Sequence, residues 1–157
     1  MKNKFKIIIL VFLVLGQIII YRYAHPLKLN LDLFYLIMVY ISVMSGFYKS
    51  IATGFAIGLI TDYFSGNIMG VFGFSRTISA FFLNEISRRI DLKNNLFVFL
   101  MISVSLAFSN FISNVFLYYI LGFSFNIGLL IYQPISTGLI GLLISSSKKA
   151  KEYMDVY

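Results

Sequence analysis

Cysteine and tryptophan are missing from this chain, and proline (two residues) and histidine (one) are nearly so. Without cysteine there is no disulfide framework, no thiolate nucleophile and no zinc–thiolate centre. The single histidine argues against a multi-histidine metal site, and His25-Pro26 reads as a turn between apolar runs rather than as a ligand. Charge is scarce as well: 12% of the 157 residues are Asp, Glu, Lys or Arg, against about 25% in a soluble domain. With 59% hydrophobic residues and a mean hydropathy of +0.88, the chain has too little polar surface to cover a water-facing globule. Its solvent is largely lipid.

Long apolar runs are what the chain has instead. A bilayer core of about 30 Å takes about 20 mostly apolar residues per helix. Six runs fit: Phe5–Tyr23, Leu31–Ser45, Phe47–Phe64, Val71–Ile86, Leu96–Leu121 and Ile127–Ser146. The second is short, and its boundary with the third, at Ser45-Gly46, is the least defined. Continuous runs without strict alternation indicate helices, not barrel strands. Lys2, Lys4 and Lys6 lead the first run in the manner of a secretory signal, but it ends in Tyr21-Arg22-Tyr23 without a small-residue cleavage pattern. It reads as a retained helix.

Six spans put both termini on one side, and the basic residues choose which. With the N-terminus inside, Lys2, Lys4, Lys6, Lys49, Arg88, Arg89, Lys93, Lys148, Lys149 and Lys151 are cytoplasmic, whereas only Arg22 and Lys28 are outside and Arg76 lies within a span. The formal net charge of +7 is thereby accounted for without nucleic acid. The loops Ala24–Asn30, Ser65–Gly70, Ser87–Asn95 and Gly122–Asn126 are short. Residues 1–157 therefore read as one all-α polytopic membrane domain, N-in and C-in, with no linker or internal repeat and with the tail Lys148–Tyr157 at the inner surface.

Small and polar residues mark the faces on which helices pack in lipid. Gly54, Gly58 and Asp62 recur at i, i+4 and i+8, within an arc of about 80° that also takes in Thr61. Arg76, Ala80 and Asn84 repeat the spacing on the next run. An intramembrane charge needs a partner, and the two runs form a hairpin through "SGNIMG", so the expected pair is Asp62 with Arg76, near the hairpin's outer end. In the fifth run Ser103, Ala107, Asn110 and Asn114, flanked by Ser109 and Ser113, read as packing devices. So do Thr137, Gly138, Gly141 and Ser145 in the sixth, where Pro134 after Gln133 removes a helix hydrogen bond and predicts a kink.

No enzyme signature is present. There is no Ser-His-Asp set, no G-x-x-x-x-G-K-[ST] and no H-E-x-x-H; no catalytic residue, cofactor or metal site is expected. Arg88 and Arg89, with Glu85 just before them, read as a helix end anchored at the inner surface, and the sharper alternative is a docking site for a cytoplasmic partner. Tyr21, Tyr23, Tyr48, Tyr63, Phe64, Phe123 and Phe125 read as interfacial belts.

The stretch "GFAIGLITDYFSGNIMGVFG", with Gly54, Gly58, Leu59, Asp62, Ser65, Gly66 and Gly70 in register, resembles the MreD family of bacterial rod shape-determining membrane proteins. The second run is similar to that family's aspartate-led, Leu-rich helix through Asp32, "LFYLIMVY" and Lys49. Prolines common in the family are replaced here by Leu31 and Asn67-Ile68-Met69. The resemblance implies a non-enzymatic inner-membrane component of the cell-elongation machinery, regulating rod shape and lateral peptidoglycan synthesis. It also implies partners: a bitopic MreC-like protein, the MreB filament and RodA-type synthases. Gly54, Gly58, Asp62, Ser65, Gly66, Gly70 and Arg76 are the structural or interaction residues so marked.

The family is also thought to share its fold with the six-helix substrate-capture subunits of energy-coupling-factor vitamin transporters. In that rival reading Asp62, Arg76, Asn110 and Asn114 line a pocket near the outer face. The absence of Trp and the short outer loops weigh against it. A small channel ranks last, since the polar stripes have packing spacing.

Overall fold

The computed structural model describes residues 31–66, 68–89, 94–122, 124 and 127–145, together with Gly16. Five helices follow one another: α1 (Leu33–Met44), α2 (Phe47–Ser65), α3 (Val71–Ser87), α4 (Asn95–Leu121) and α5 (Ile127–Ser145). They match the second to sixth runs to within about two residues, the ordinary scatter of helix ends. Apart from Gly16, the first run, Phe5–Tyr23, and the tail Lys148–Tyr157 lie outside the described residues.

Local chemistry sets the boundaries. Asp32 caps α1, its Oδ1 accepting from the Tyr35 N–H at 2.8 Å. Ser45 and Gly46 are both extended, with ψ of 162° and 163°, and these two residues alone part α1 from α2. Gly66 ends α2 at φ 67° and Gly122 ends α4 at φ 64°, left-handed positions that favour glycine. Asn94 caps α4 through its side chain, and α5 stays helical through Pro134.

The described helices are unequal in length and polarity, and the second run is the short one, as its sequence indicates. Among the described residues, Asn95–Ile120 and Ile127–Ile144 are the helices both long and apolar enough to cross a bilayer, by length and composition. The 12 residues of α1 cover only about 18 Å. The hairpin helices α2 and α3 are diluted by glycines, serines and the charges Lys49, Asp62, Arg76 and Glu85.

Polarity is arranged inside out. Arg76, Asp62, Asn84 and Thr137 are among the largest fully buried side chains, while Tyr40, Phe55, Phe74, Phe111 and Leu139 are exposed. A water-soluble core has the opposite pattern, and exposed apolar surface on this scale marks contact with lipid or partners. The apolar core among the described residues is a seam of Tyr35, Met38, Leu83, Ile102 and Leu106, with Leu36, Ile37 and Val43 of α1 packed against its edge. The closest helix pairs are α2 with α3 and α4 with α5; α3 joins the pairs and α1 packs across α2 and α3.

Candidate functional site

Two glycines bring α2 and α3 together. A Cβ on Gly58 would stand 2.5 Å from Gly73 Cα and 2.7 Å from Gly73 N. One on Gly54 would stand 2.7 Å from Ala80 Cβ and 2.8 Å from the Arg76 carbonyl oxygen. The face expected from the i, i+4, i+8 spacing is therefore the face in contact: Gly54, Gly58 and Asp62 are buried against Gly73, Arg76 and Ala80. Ser50, one turn earlier, extends the seam by donating to the Ala80 carbonyl at 2.9 Å.

At the turn end of this hairpin Asp62 meets backbone. Its Oδ2 accepts from the N–H groups of Gly70 (2.9 Å) and Gly73 (3.0 Å), and its Oδ1 from that of Phe72 (2.9 Å). Gly70 is the N-cap residue of α3, at φ 103°, and has no side chain with which to cap. The carboxylate of the preceding helix does this instead, satisfying amides of the first turn that have no partner within α3. It also places negative charge at the positive end of the helix dipole. Ser65 turns back on its own helix, donating to the Thr61 carbonyl at 2.7 Å, and Gly66 starts the turn. The residues shared with the family pattern thus form one device, a tight hairpin whose second helix is capped by its first.

Arg76 is not held by Asp62, contrary to expectation. Its Nη2 donates to Oδ2 of Asp32, the same carboxylate that caps α1 through Oδ1. Both residues are buried, at 1% and 4% exposure, so this ion pair is out of solvent. The Asp32 N–H donates to Thr137 Oγ1 at 3.2 Å, which draws α5 to the same point. The rings of Tyr35 and Phe72 lie 5.8 and 5.7 Å from the guanidinium carbon, within cation–π range. Among the described residues Nε and Nη1 have no hydrogen-bond partner, and these rings are the contacts on that side.

The reason for the change of partner is geometric. Asp62 already has three amide donors within reach, and Arg76 lies a turn deeper. Ser75, beside Arg76, is level with the middle of α4 through a contact of 3.4 Å with Ser109 Oγ. The pair accordingly lies deeper than the hairpin's end. Asp32 reaches it because α1 is short and starts within the bundle. Sequence reasoning quoted Asp32 only as part of a family pattern; an aspartate heading an apolar run was the available signal, both as an N-cap and as a counter-ion.

Further bonds tie the remaining helices. The Tyr35 hydroxyl donates to Ser79 Oγ at 2.5 Å, and Ser79 donates on to the Ser105 carbonyl at 3.1 Å. Asn84 Nδ2 reaches the carbonyls of Ser42 (2.8 Å) and Ser45 (3.0 Å) at the end of α1. Asn110 Nδ2 donates to the Leu129 carbonyl (2.7 Å) and Gln133 Oε1 (2.9 Å), and Asn114 to the Asn110 carbonyl (2.9 Å). Asp62, Arg76, Asn110 and Asn114 are each turned to a bond within the bundle and are not gathered round a common pocket. At the far end of α3, Arg89 pairs with Glu85 through Nε (3.2 Å) and Nη2 (2.5 Å), and Arg88 beside it is exposed.

Comparison with known proteins bears on this arrangement. A sequence-family profile described as "rod shape-determining protein MreD" matches residues 1–145 of the chain. No curated protein and no solved structure matches it significantly.

Proposed function

The chain belongs to the MreD family of rod shape-determining proteins, and on that premise we propose that it is a non-enzymatic, multi-pass component of the bacterial cell-elongation machinery. It regulates rod shape and lateral peptidoglycan synthesis by binding. Its partners are an MreC-like bitopic protein and, through the assembled complex, the MreB filament and a RodA-type synthase.

The family match across nearly the whole chain carries this reading. The site supports it in physical terms: the buried carboxylates, guanidinium and amides are engaged in holding helices to one another. What the bundle offers to other molecules is apolar flank and helix ends. The bias of Lys and Arg places Ser45, Arg88 and Arg89 at the cytoplasmic side and the Asp62-capped turn outside. With Phe5–Tyr23 as a further span, the bundle has six helices in a single domain with both termini inside.

Depletion of the protein in a rod-shaped host tests the proposal. The expected result is rounded, widened cells, together with co-purification of a single-span, coiled-coil-bearing protein with the tagged full chain. Unchanged width and growth would overturn it. Thermal stabilisation of the purified protein by a vitamin would favour the substrate-capture role instead.

A further inference from the structure

Charge is divided unequally between the two ends of the α2–α3 hairpin. Lys49, Glu85, Arg88 and Arg89 are exposed at its inner end, whereas the stretch 63–75 around the outer turn has no charged residue. The turn shows apolar side chains instead: Tyr63, Phe64, Ile68 and Met69 are exposed, Tyr63 and Met69 by 73% and 60%. Its backbone asks little of water. A helix start leaves about four amides without a partner inside the helix. In α3 those of Gly70, Phe72 and Gly73 go to the Asp62 carboxylate, and that of Val71 goes to the Ile68 carbonyl at 3.4 Å. The Thr61 and Asp62 carbonyls, at the end of α2, accept from Ser65 Oγ at 2.7 and 3.3 Å. Backbone enters hydrocarbon only where its polar groups are satisfied within the protein.

Helix length sets the depth. An exposed carboxylate is excluded from hydrocarbon, so Glu85, paired with Arg89, marks the inner edge on α3. From Glu85 to Val71 the helix rises about 21 Å, and from Lys49 to Ser65 α2 rises about 24 Å. A bilayer core of roughly 30 Å is about 6–9 Å taller, and tilt only adds to the difference. In α4 the distance from Asn95 to Tyr119 is about 36 Å, enough to pass the outer edge. The hairpin turn falls short of the level that α4 reaches.

We propose that the α2–α3 turn is seated beneath the outer lipid surface, with Tyr63, Phe64, Ile68 and Met69 against acyl chains and Asp62 taking the place of water at the first amides of α3. The assignment rests on the membrane-embedded, N-in reading given above.

The chain has no cysteine, so one introduced thiol carries a spin label at a single position. Met69→Cys places the label at the turn and Tyr119→Cys at the outer end of α4. Val104→Cys places it near mid-core, about 14 Å along α4 from Asn95. All three positions are exposed. Each full-length variant is reconstituted in phosphatidylcholine vesicles. Collision of the label with oxygen, which gathers in hydrocarbon, is compared with collision with a water-soluble nickel chelate. The oxygen-to-nickel ratio at 69 should be shifted from that at 119 toward that at 104. A ratio at 69 equal to that at 119 would put the turn in water and overturn the proposal. So would weak collision with both reagents at 69, which would mean that protein covers the turn. Asp62→Ala in the Met69→Cys protein should move the ratio toward the value at 119, because the freed amides draw in water. An unmoved ratio would refute the part given to Asp62. A ratio at 104 as low as at 119 would overturn the membrane reading itself.

Discussion

Arg76 on α3 is paired with Asp32, 44 positions earlier at the head of α1, although Asp62 stands on the adjoining helix of its own hairpin. One carboxylate thereby serves two purposes, capping α1 with Oδ1 and neutralising a buried guanidinium with Oδ2. Removing either partner leaves the other charge buried. Arg76→Ala is expected to destabilise the protein by about 3–5 kcal/mol. The Asp32→Ala/Arg76→Ala double variant should lose less than the sum of the single losses. Equilibrium unfolding in mixed detergent measures the cycle, and a larger coupling between Asp62 and Arg76 than between Asp32 and Arg76 would refute the assignment.

Asp62 acts through three backbone amides, so its loss should be felt locally. Asp62→Ala removes a cap, a change that typically costs about 0.5–2 kcal/mol, and the upper end is expected because the Phe72 and Gly73 amides are buried. Asp62→Asn has one acceptor oxygen in place of two and should fall between wild type and alanine. The check is hydrogen exchange at Phe72 and Gly73, which should quicken in both variants, alanine more than asparagine. Unchanged protection of those amides would count against the cap.

Gly58→Ala and Gly54→Ala both force atoms into the α2–α3 seam, where overpacking costs about 1–3 kcal/mol. Gly58 should be the worse, because its added methyl meets backbone of Phe72 and Gly73, while that of Gly54 meets partly the Ala80 side chain. Gly46→Ala is the control: nothing lies within 4 Å of its Cβ position. Comparable losses at 46 and 58 would mean that close approach of α2 and α3 is not what those glycines supply.

Asn110→Ala cuts two bonds between α4 and α5. Interhelical hydrogen bonds in membrane proteins average about 0.6 kcal/mol, with a maximum near 1.7. The loss should therefore be well below that at Arg76, and a fully folded protein should remain. A loss equal to that of Arg76→Ala would show that Asn110 has a role beyond tying the two helices.

Five helices and their contact faces were legible because glycine and polar spacing carries helical phase. Gly54, Gly58 and Asp62 could be placed on one inward face, and Arg76, Ala80 and Asn84 on its counterpart, before any coordinates. The family pattern around Asp62 was legible for the same reason: it is local. The ion-pair partner was not. Pairing by proximity in the chain favoured Asp62, and nothing in the hairpin's sequence tells that its carboxylate is used up by backbone N–H groups. Nor do apolar runs reveal depth. That α1 begins inside the bundle, within reach of Thr137 halfway along α5, depends on how helices of unequal length are staggered.

The Asp32–Arg76 pair also has a direction in time. A ribosome delivers Asp32 before Arg76, so α1 emerges as a 12-residue apolar segment headed by a carboxylate without its counter-ion. Such a segment is too short to commit itself to the bilayer, and an unpaired aspartate within the membrane opposes its insertion. The neutralising arginine comes only with α3, the helix that Asp62 caps. The counter-ion that α1 needs is thus supplied by a helix made after it.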